Sequence, residues 1–366
     1  MRVMVLGIRG LPNVQGGVET HAEHLYPRLV ALGCEVEAIV RTPFVPPRRR
    51  EFSGIRLRRI WAPHRNGLEA LVHSVLGVLY AGLSRPDVLH IHAIGPAIVT
   101  PIARLLGLKV VVTHHGMDYE REKWGGFARW VLRLGERAGM TTASARIVIS
   151  RVIGTFVQQH YGVDSFLIPN GVAAANACEG SEHVRRLGLE PGRYFLQVSR
   201  LVPEKRQIDL IEAYATRQRS WRLVIVGALD GSEYSERVTR AAAVDGVVLT
   251  GYQSGEPLRQ LYAHAGAFVL PSSHEGLPIA LLEALSYGLP ALASDIAANV
   301  EVGLDESSYF PLGDVKALAA RMTKLQDTPA DPAARTQRMR WTAEKYDWGR
   351  IASQTLEVYR KASGRT

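Results

Sequence analysis

The sequence predicts an α/β protein of two domains, each built on a parallel sheet. Its 366 residues exceed the length of one typical domain. Short apolar runs alternate with longer amphipathic segments, the pattern of strands joined by helices. The alternation occurs twice, and residues 169–192, rich in Ala, Gly and polar residues, separate the two series. We therefore place the domain boundary in that stretch.

The first series predicts six strands and five helices. Each predicted strand is a short apolar run, and each predicted helix carries apolar residues at helical spacing. The strands are expected near 2–7, 34–40, 55–60, 87–92, 109–114 and 146–150. The helices are expected near 18–32, 67–83, 96–106, 125–138 and 151–160.

The second series repeats this architecture. Its strands are expected near 193–198, 221–226, 246–250, 266–271 and 290–294. Helical stretches follow near 314–326 and 331–345, and a break at Asp347-Trp348-Gly349 precedes a last one at 350–362. That last helix has no strand of its own, so it either caps the second domain or packs on the first.

The composition excludes several classes of protein. An apolar fraction of 46%, a charged fraction of 22% and a mean hydropathy near zero describe a globular protein rather than a disordered or fibrous one. The two cysteines, Cys34 and Cys178, have no partner at metal-ligand spacing, so neither a disulfide framework nor a zinc site is predicted. Neither a cleavable leader nor a membrane-spanning segment is expected, because the N-terminal apolar run is short and no run of 18 apolar residues occurs. We expect a cytoplasmic protein.

The net charge of +9 lies in the first half of the chain. Residues 1–170 hold 21 Lys and Arg against 12 Asp and Glu, whereas the remainder holds 23 of each. The basic clusters 48–50 and 56–59, with Trp61 and Arg65, come without a recognisable nucleic-acid motif, so no nucleic-acid partner is predicted. The clusters indicate either a peripheral contact with an anionic membrane or an ordinary solvated basic surface.

The strongest local motif is PSSHEGLPIALLEALSYGLP, residues 271–290. A strand ends there and a helix is expected to begin at Pro278, since proline suits the first helical turn. The amides of Gly276 and Leu277, together with the helix dipole, predict an anion site. Glu275 in the loop could face a bound sugar, and Glu283 in the helix could accept hydrogen bonds from a ribose. The alternative is that both glutamates only favour the start of the helix.

Two cations follow the first strand of the second half. Arg200 stands at the strand terminus and Lys205 at the start of the next helix, in QVSRLVPEKRQ, residues 197–207. Arg offers a bidentate fork and Lys a point charge, so the two can neutralise a diphosphate. They would stabilise a nucleoside diphosphate as it departs.

Two loops of the first half also carry candidate residues. Gly16 and Gly17 open a helix in GIRGLPNVQGGVETHAEHL, residues 7–25, which is not the dinucleotide pattern, so NAD or FAD is not expected. The alternative for these glycines is a flexible turn. His114, His115 and Asp118 follow a strand in THHGMDYEREKW, residues 113–124, where an imidazole could contact a sugar hydroxyl or a leaving phosphate.

His90 and His92 alternate along a strand, and we expect them to pack or to line the sheet end. No carboxylate stands at a spacing that suits a metal, so no metal ligand is predicted.

Together these motifs resemble the retaining glycosyltransferases of family four, which have the GT-B fold. The resemblance covers nearly the full length, and its hallmark is two glutamates separated by seven residues, here Glu275 and Glu283. Its other motifs stand in order: GGVE (16–19), THHG (113–116), IPNGV (168–172), SRLVPEK (199–205) and NVEVG (299–303). The first half is most similar to a bacterial subgroup associated with rhamnosyl or related transfer in surface-polysaccharide assembly.

The resemblance implies two Rossmann-like domains that face each other across a cleft. Residues 1–170 would bind the acceptor, residues 171–347 would bind the donor, and a C-terminal helix, about 348–366, would cross back to the first domain.

The resemblance also implies roles for single residues. Arg200 and Lys205 would bind the donor diphosphate, and Glu283 the ribose. The donor site would further include Gly16, Gly17, Tyr252, Glu275, Gly276, Leu277 and Pro278, with Tyr252 near the base. His115 would be the active-site histidine, and Gly17, His115 and Asp118 would contact the acceptor. His115, Glu275, Arg200 and Lys205 would carry catalysis without a metal ion.

The predicted function is transfer of a sugar, with retention, from a nucleoside diphosphate to an acceptor hydroxyl. The base stays open between UDP, GDP and dTDP, no separate cofactor is expected, and the acceptor would be a glycan or a lipid-linked glycan. Two alternatives stay open: a nucleotide-sugar epimerase with the GT-B fold, and a non-catalytic nucleotide-binding protein.

Overall fold

The computed structural model describes residues 1–63, 68–120, 124–175, 180–216, 220–328 and 331–365. The chain forms two compact units, one of Met1–Gly171 with Trp348–Thr366 and one of Val172–Asp347. Arg65 and Cys178 lie outside the described residues, and Cys34 is a buried free thiol. None of the helices in the described ranges combines the length and the apolar character needed to cross a bilayer.

The first unit contains an eight-stranded sheet in the order β3-β4-β2-β1-β5-β6-β7-β8. All neighbours pair in parallel except β3 with β4. The strands are β1 (Arg2–Leu6), β2 (Glu35–Arg41), β3 (Glu51–Phe52), β4 (Ile55–Ile60), β5 (Val88–His92), β6 (Val110–His114), β7 (Ala145–Val148) and β8 (Phe166–Leu167). The six predicted strands are confirmed. The two additional strands, β3 and β8, have two residues each, which is too short for a periodic signal.

Five helices connect these strands: α1 (Gly17–Ala31), α2 (Leu68–Ser84), α3 (Thr100–Leu105), α4 (Gly126–Thr142) and α5 (Arg151–Tyr161). The single helix predicted over 96–106 is wrong in its first part, because Pro96–Val99 is a 3-10 turn. Pro101 has no N–H to donate to the carbonyl of Ala97 four residues earlier. The Thr100 hydroxyl donates to that carbonyl instead, at 2.6 Å.

The second unit contains a six-stranded parallel sheet in the order β11-β10-β9-β12-β13-β14. Its strands are β9 (Tyr194–Val198), β10 (Arg222–Val226), β11 (Val247–Leu249), β12 (Ala267–Leu270), β13 (Ala291–Ser294) and β14 (Tyr309–Phe310). Its helices are α6 (Glu182–Arg186), α7 (Gln207–Ala215), α8 (Glu233–Ala241), α9 (Gly255–Ala263), α10 (Ile279–Ser286), α11 (Ala297–Val300), α12 (Val315–Asp327) and α13 (Pro332–Lys345). Five strands were predicted, and β14 is the two-residue addition.

The last helix, α14 (Trp348–Ser363), packs on the first unit beside α1. The sequence left open whether this helix caps the second domain or packs on the first, and it packs on the first. The predicted break at Asp347-Trp348-Gly349 is wrong for its last two residues, which are helical. The indole of Trp348 is buried in the first unit's core, and this packing holds the helix start in place.

Both sheets reverse their strand order at one point, between β1 and β5 in the first unit and between β9 and β12 in the second. In parallel α/β sheets, ligands bind outside the carboxyl ends of the strands at this reversal. The loops after β1, β9 and β12, and after β6 beside β5, hold most of the candidate site residues.

We expect Gly171→Ala to destabilise the first unit. A methyl group at this position would come within 2.5 Å of the Trp348 ring, and overpacking of this kind costs about 1–3 kcal/mol. The melting temperature should fall by several degrees in differential scanning calorimetry. Gly125→Ala is the matched control, because its added methyl meets no atom within 4 Å. Equal effects of the two changes would contradict this account of how α14 is attached.

Candidate active site

In the second unit, Lys205 and Glu275 form an ion pair. The two residues belong to the loops after β9 and β12, which are neighbours in the sheet, so both loops leave the same edge. The Ser273 N–H donates to the carbonyl of Glu204 at 2.9 Å and joins the loops. The side chains of Lys205 and Glu275 retain only 16% and 10% of their exposure. The structure thus brings together two residues that the sequence placed 70 positions apart.

Two buried amide side chains hold the loop that carries Arg200 and Lys205. Gln207 donates through Nε2 to the carbonyl of Arg200 at 2.8 Å. Gln197 donates through Nε2 to the carbonyl of Lys205 at 3.0 Å. Arg200 lies two residues after β9, and Lys205 ends a 3-10 turn rather than starting α7 as predicted. The backbone beneath both cations is therefore fixed at the carboxyl edge of β9.

Glu283 lies inside α10 and is turned toward Tyr262. The Tyr262 hydroxyl donates to Glu283 Oε2 at 2.8 Å, and the Tyr262 ring stacks on Tyr287 with centroids 5.6 Å apart. Burial raises the pKa of Glu283, while the bond from Tyr262 acts in the opposite direction. One carboxylate oxygen is thus engaged within the protein, and Oε1 is the atom to consider for a ribose hydroxyl.

The remaining donor candidates of the second unit lie along the same sheet edge. Gly276, Leu277 and Pro278 connect β12 to α10, and Leu277 is buried. The prediction that the helix begins at Pro278 is wrong by one residue, because Pro278 has an extended ψ of 95° and precedes the helix. Tyr252 follows the edge strand β11, two strands from β9, and is 45% exposed.

In the first unit, Gly16 and Gly17 lie at the start of α1, next to a partly buried ion pair. Arg9 donates through Nε to Glu19 Oε1 at 2.9 Å and through a terminal nitrogen to Oε2 at 3.1 Å. Gly16 has a φ of 155°, and an added Cβ would collide with the Glu19 carboxylate. Position 16 therefore requires glycine. Gly16, Gly17 and the Glu19 carboxylate together set the shape of the loop that a ligand would approach.

The histidine doublet divides between two roles. His114 ends β6 and is fully buried, and its Nε2 lies 2.7 Å from Glu136 Oε1. The Gly116 N–H donates to His114 Nδ1, which leaves the proton on Nε2 for the bond to Glu136. His114 is therefore an internal anchor. His115 turns away from it and contacts His92, so His115 is the ring available to a ligand. Asp118 lies half-buried in the 3-10 turn that follows.

A chain of hydrogen bonds leads inward from His115. His115 Nε2 lies 2.9 Å from His92 Nδ1, and the Tyr26 hydroxyl is bonded to both His92 Nε2 and His90 Nδ1. His90 Nδ1 also lies 2.6 Å from the Tyr359 hydroxyl on α14. Burial lowers the pKa of His90 to about 3 and holds the pKa values of His92 and His115 well below the ordinary value. These imidazoles are neutral at pH 7.

The Tyr26 hydroxyl determines the tautomer of His115. If Tyr26 donates to His92, then His92 Nδ1–H donates to His115 Nε2, and His115 carries its proton on Nδ1. If Tyr26 donates to His90, the sense is reversed and His115 donates through Nε2. At Nδ1, His115 therefore offers a ligand either an N–H or a lone pair. Which of the two it offers depends on whether the Tyr26 hydroxyl donates to His92 or to His90.

A fourth imidazole lies beside His92 and His115. His21 on α1 is buried, and its Nδ1 lies 3.0 Å from Asn170 Oδ1. Nitrogens of His21, His92 and His115 lie within 4.8 Å of one another, which would suit a metal ion such as Zn²⁺. A hydrogen bond already joins His92 and His115, so a metal would have to displace the proton between them.

Sequence reasoning missed several residues of these clusters, namely His21, Tyr26, Glu136, Asn170, Tyr262 and Tyr359. His21 and Tyr26 lie on the buried side of α1 with Ala22, Leu25 and Leu29, so the helical period could have placed both in the interior. The partners of the others are distant in the chain, and no local signal marks them.

Comparisons with known proteins agree with this architecture. Residues 181–346 match the family described as Glycosyl transferases group 1, and residues 16–171 match the Glycosyl transferase 4-like domain. The GDP-mannose:cellobiosyl-diphosphopolyprenol alpha-mannosyltransferase of Xanthomonas campestris is 26% identical over 80% of this chain and 77% of its own. The alpha-maltose-1-phosphate synthase of Mycobacterium tuberculosis is 28% identical over 99% of both chains.

A solved structure extends the comparison to the fold. Sucrose-phosphate synthase from Thermosynechococcus elongatus aligns over 98% of both chains with a TM-score of 0.84 at 21% identity. The two matched families and the Xanthomonas relative are named as transferases, which favours transfer over the epimerase alternative. The chain belongs to the group 1 glycosyltransferases and has their GT-B fold.

Proposed function

We propose that the enzyme transfers a sugar, with retention, from a nucleoside diphosphate bound by the second unit to a glycan hydroxyl bound by the first. The observation that carries the donor assignment is the Lys205–Glu275 pair at the strand-order reversal of the second sheet. A fixed cation at that edge suits a diphosphate, and its carboxylate partner suits the hydroxyls of the attached sugar. The Xanthomonas relative, a GDP-mannose-dependent transferase by its name, supports the same class of donor.

In the proposed mechanism the diphosphate leaves from the face that the acceptor attacks. Arg200 and Lys205 stabilise the charge that grows on the departing phosphate, so no metal ion is required for that role. The acceptor hydroxyl passes its proton to a phosphate oxygen. The amides of Gly276 and Leu277 contact phosphate, Glu283 accepts from the ribose, and Tyr252 lies near the base.

The acceptor is assigned to the first unit, at Gly17, His115 and Asp118. The His115 imidazole is neutral, so it hydrogen-bonds a sugar hydroxyl without bringing a positive charge to the acceptor. The Xanthomonas relative acts on a polyprenol-linked glycan, which supports a lipid-linked acceptor in surface-polysaccharide synthesis. An enzyme with such a substrate would work at the cytoplasmic face of the membrane in peripheral contact with anionic lipid.

A thermal-shift screen tests the donor site. UDP, GDP, dTDP and ADP, with their common sugar conjugates, are added to the wild type, to Lys205→Ala and to Lys316→Ala. A ligand that binds the folded state raises the melting temperature. We expect one nucleoside diphosphate to stabilise the wild type and Lys316→Ala, whose change lies at an exposed position of α12, but not Lys205→Ala.

The screen has three possible outcomes. Stabilisation by a single base would identify the donor nucleotide. Equal stabilisation of all three proteins would place the diphosphate away from Lys205, and no shift with any nucleotide in folded protein would overturn the proposal.

A further inference from the structure

The first unit exposes an unusual amount of apolar surface on one side. Within the described ranges, eleven of the nineteen exposed large apolar side chains lie on α2, α4 and α3 with its following turn, and only four lie in the second unit. Helix α3 packs against both α2 and α4. Leu83 and Leu105 are 86% and 87% exposed. We call this surface the α2–α4 face. Clusters of exposed apolar side chains on a monomeric protein often mark a binding surface.

Helix α4 has the pattern of a helix that lies in a membrane surface. Phe127, Trp130 and Leu134 form an exposed apolar stripe, and the Phe127 and Trp130 rings stack with centroids 6.0 Å apart. Arg129 and Arg133, followed one turn later by Arg137, form a parallel exposed stripe. The one carboxylate on this fully described helix, Glu136, is buried against His114. Aromatic and aliphatic residues beside arginines are typical of interfacial helices.

The start of α4 extends beyond the sheet edge that carries His115. Glu136 lies level with the end of β6, because it contacts His114 there. Ten residues precede Glu136 in α4, which is about 15 Å of helix. Phe127 and Trp130 therefore project past the carboxyl edge, and they are 78% and 59% exposed. A surface that received these two rings would lie next to the candidate acceptor site of the same unit.

We propose that the α2–α4 face docks on an anionic lipid bilayer, with Phe127 and Trp130 inserted among the headgroups and the arginines on lipid phosphates. The charge pattern favours lipid over a second copy of the chain. A symmetric dimer across α4 would bring the arginine stripes of both copies together, whereas anionic lipid satisfies the apolar stripe and the cations at once. Binding through this face does not depend on the proposed sugar transfer.

The α2–α4 face, rather than the basic clusters at 48–50 and 56–59, is the proposed membrane contact. Two arginines of the second cluster are already engaged, because Arg56 pairs with Glu35 and Arg58 pairs with Glu37. Arg104, Arg129 and Arg137 lie among exposed apolar side chains instead. Electrostatic attraction and apolar insertion therefore coincide on the α2–α4 face.

Vesicle flotation of the full chain tests the proposal. Vesicles of phosphatidylcholine alone are compared with vesicles of equal parts phosphatidylcholine and phosphatidylglycerol. We expect binding to the anionic vesicles. The combined change Phe127→Ser and Trp130→Ser should weaken it at least about 10-fold. Arg129→Gln with Arg137→Gln should weaken it about 10- to 30-fold at low salt and less at high salt.

Matched controls come from exposed positions of the second unit. Leu229→Ser removes an exposed apolar side chain, and Arg185→Gln with Arg240→Gln removes two exposed arginines. Both control variants should bind like the wild type. Unchanged melting temperatures show that each variant is folded.

Three outcomes would overturn the inference: no binding of the wild type to anionic vesicles, equal binding of the Phe127 and Trp130 variant, or a dimer in ultracentrifugation that this variant abolishes without any vesicle binding. Because the assay needs no donor, failure of the sugar-transfer proposal would leave its result intact.

Discussion

The Lys205→Ala variant should be less active than the variant that lacks both Lys205 and Glu275. Removing Lys205 alone deletes the cation proposed to bind the diphosphate, and it leaves the Glu275 carboxylate, which is 10% exposed, without its ion-pair partner. That carboxylate then repels the incoming phosphates. Removing Glu275 as well relieves the repulsion, so part of the lost affinity should return.

The expected magnitudes follow from the loss of one charge-stabilising group. We expect kcat/KM to fall about 10²- to 10³-fold for Lys205→Ala. The double variant should fall less, and Glu275→Ala alone should affect kcat more than the affinity for the diphosphate. Non-additivity of this kind is the signature of two residues that act as a unit.

The measurement is a double-mutant cycle of transfer rates, with diphosphate affinities by calorimetry, using the nucleotide identified in the thermal-shift screen. Lys316→Ala serves as the control for loss of an exposed lysine. If the two single effects simply add in the double variant, the ion pair has no part in donor binding.

Mild acid should unfold the first unit before the second. Among the described residues, every fully buried histidine lies in the first unit. Burial lowers the pKa of His21 and of His73 to about 4 and that of His90 to about 3. In the unfolded chain these groups titrate near 6.5. Between pH 6.5 and pH 4 the unfolded state therefore binds more protons than the folded state, and stability falls as the pH falls.

The size of the effect follows from the same linkage. At pH 5 each of these three histidines should lower the free energy of unfolding by about 2 kcal/mol relative to neutral pH. A typical domain has a net stability of about 5–15 kcal/mol. The loss is therefore a large part of the net stability of the first unit. It should be complete below about pH 4 for His21 and His73 and below about pH 3 for His90.

Hydrogen exchange at pH 7.5 and pH 5, corrected for the intrinsic rates, measures the effect in each unit. Peptides from 1–171 should lose protection at pH 5, whereas peptides from 180–346 should retain theirs. His73→Leu removes one buried imidazole outside the His115 network and should recover about 2 kcal/mol at pH 5. A first unit that is equally stable at both pH values, or a His73→Leu variant with the same acid sensitivity, would show that the buried imidazoles do not govern stability.

The α/β class and the strands with strong apolar runs could be predicted from the sequence, because a parallel strand buried on both faces needs a continuous apolar segment. The two-residue strands β3, β8 and β14 could not be predicted, since their position depends on neighbouring strands. Trp348 was assigned to a break because Asp347 and Gly349 beside it disfavour a helix. Burial of its indole in a distant core outweighs that local preference.

The candidate residues were found by motif, but their partners were not. Lys205 and Glu275 were each expected to face a ligand, and the structure pairs them with each other. The doublet His114-His115 could not be resolved locally, because the choice depends on Glu136, which lies 22 residues away from His114. His21 and Asn170 are separated by 149 residues. Contacts of this kind exist only after the sheet has formed, so no window of the sequence contains them.

The return of α14 to the first unit has a consequence for biosynthesis. The second unit is inserted between the two segments of the first, so the segment made first lacks part of its interior while the next 176 residues emerge. Trp348 and the Tyr359 hydroxyl, which bonds to His90, are supplied only afterwards. On the ribosome, the second unit has all of its chain before the first does. Until Tyr359 has been translated, the apolar side chains that pack against α14 stay exposed in the nascent first unit. We expect chaperones to bind it during that interval.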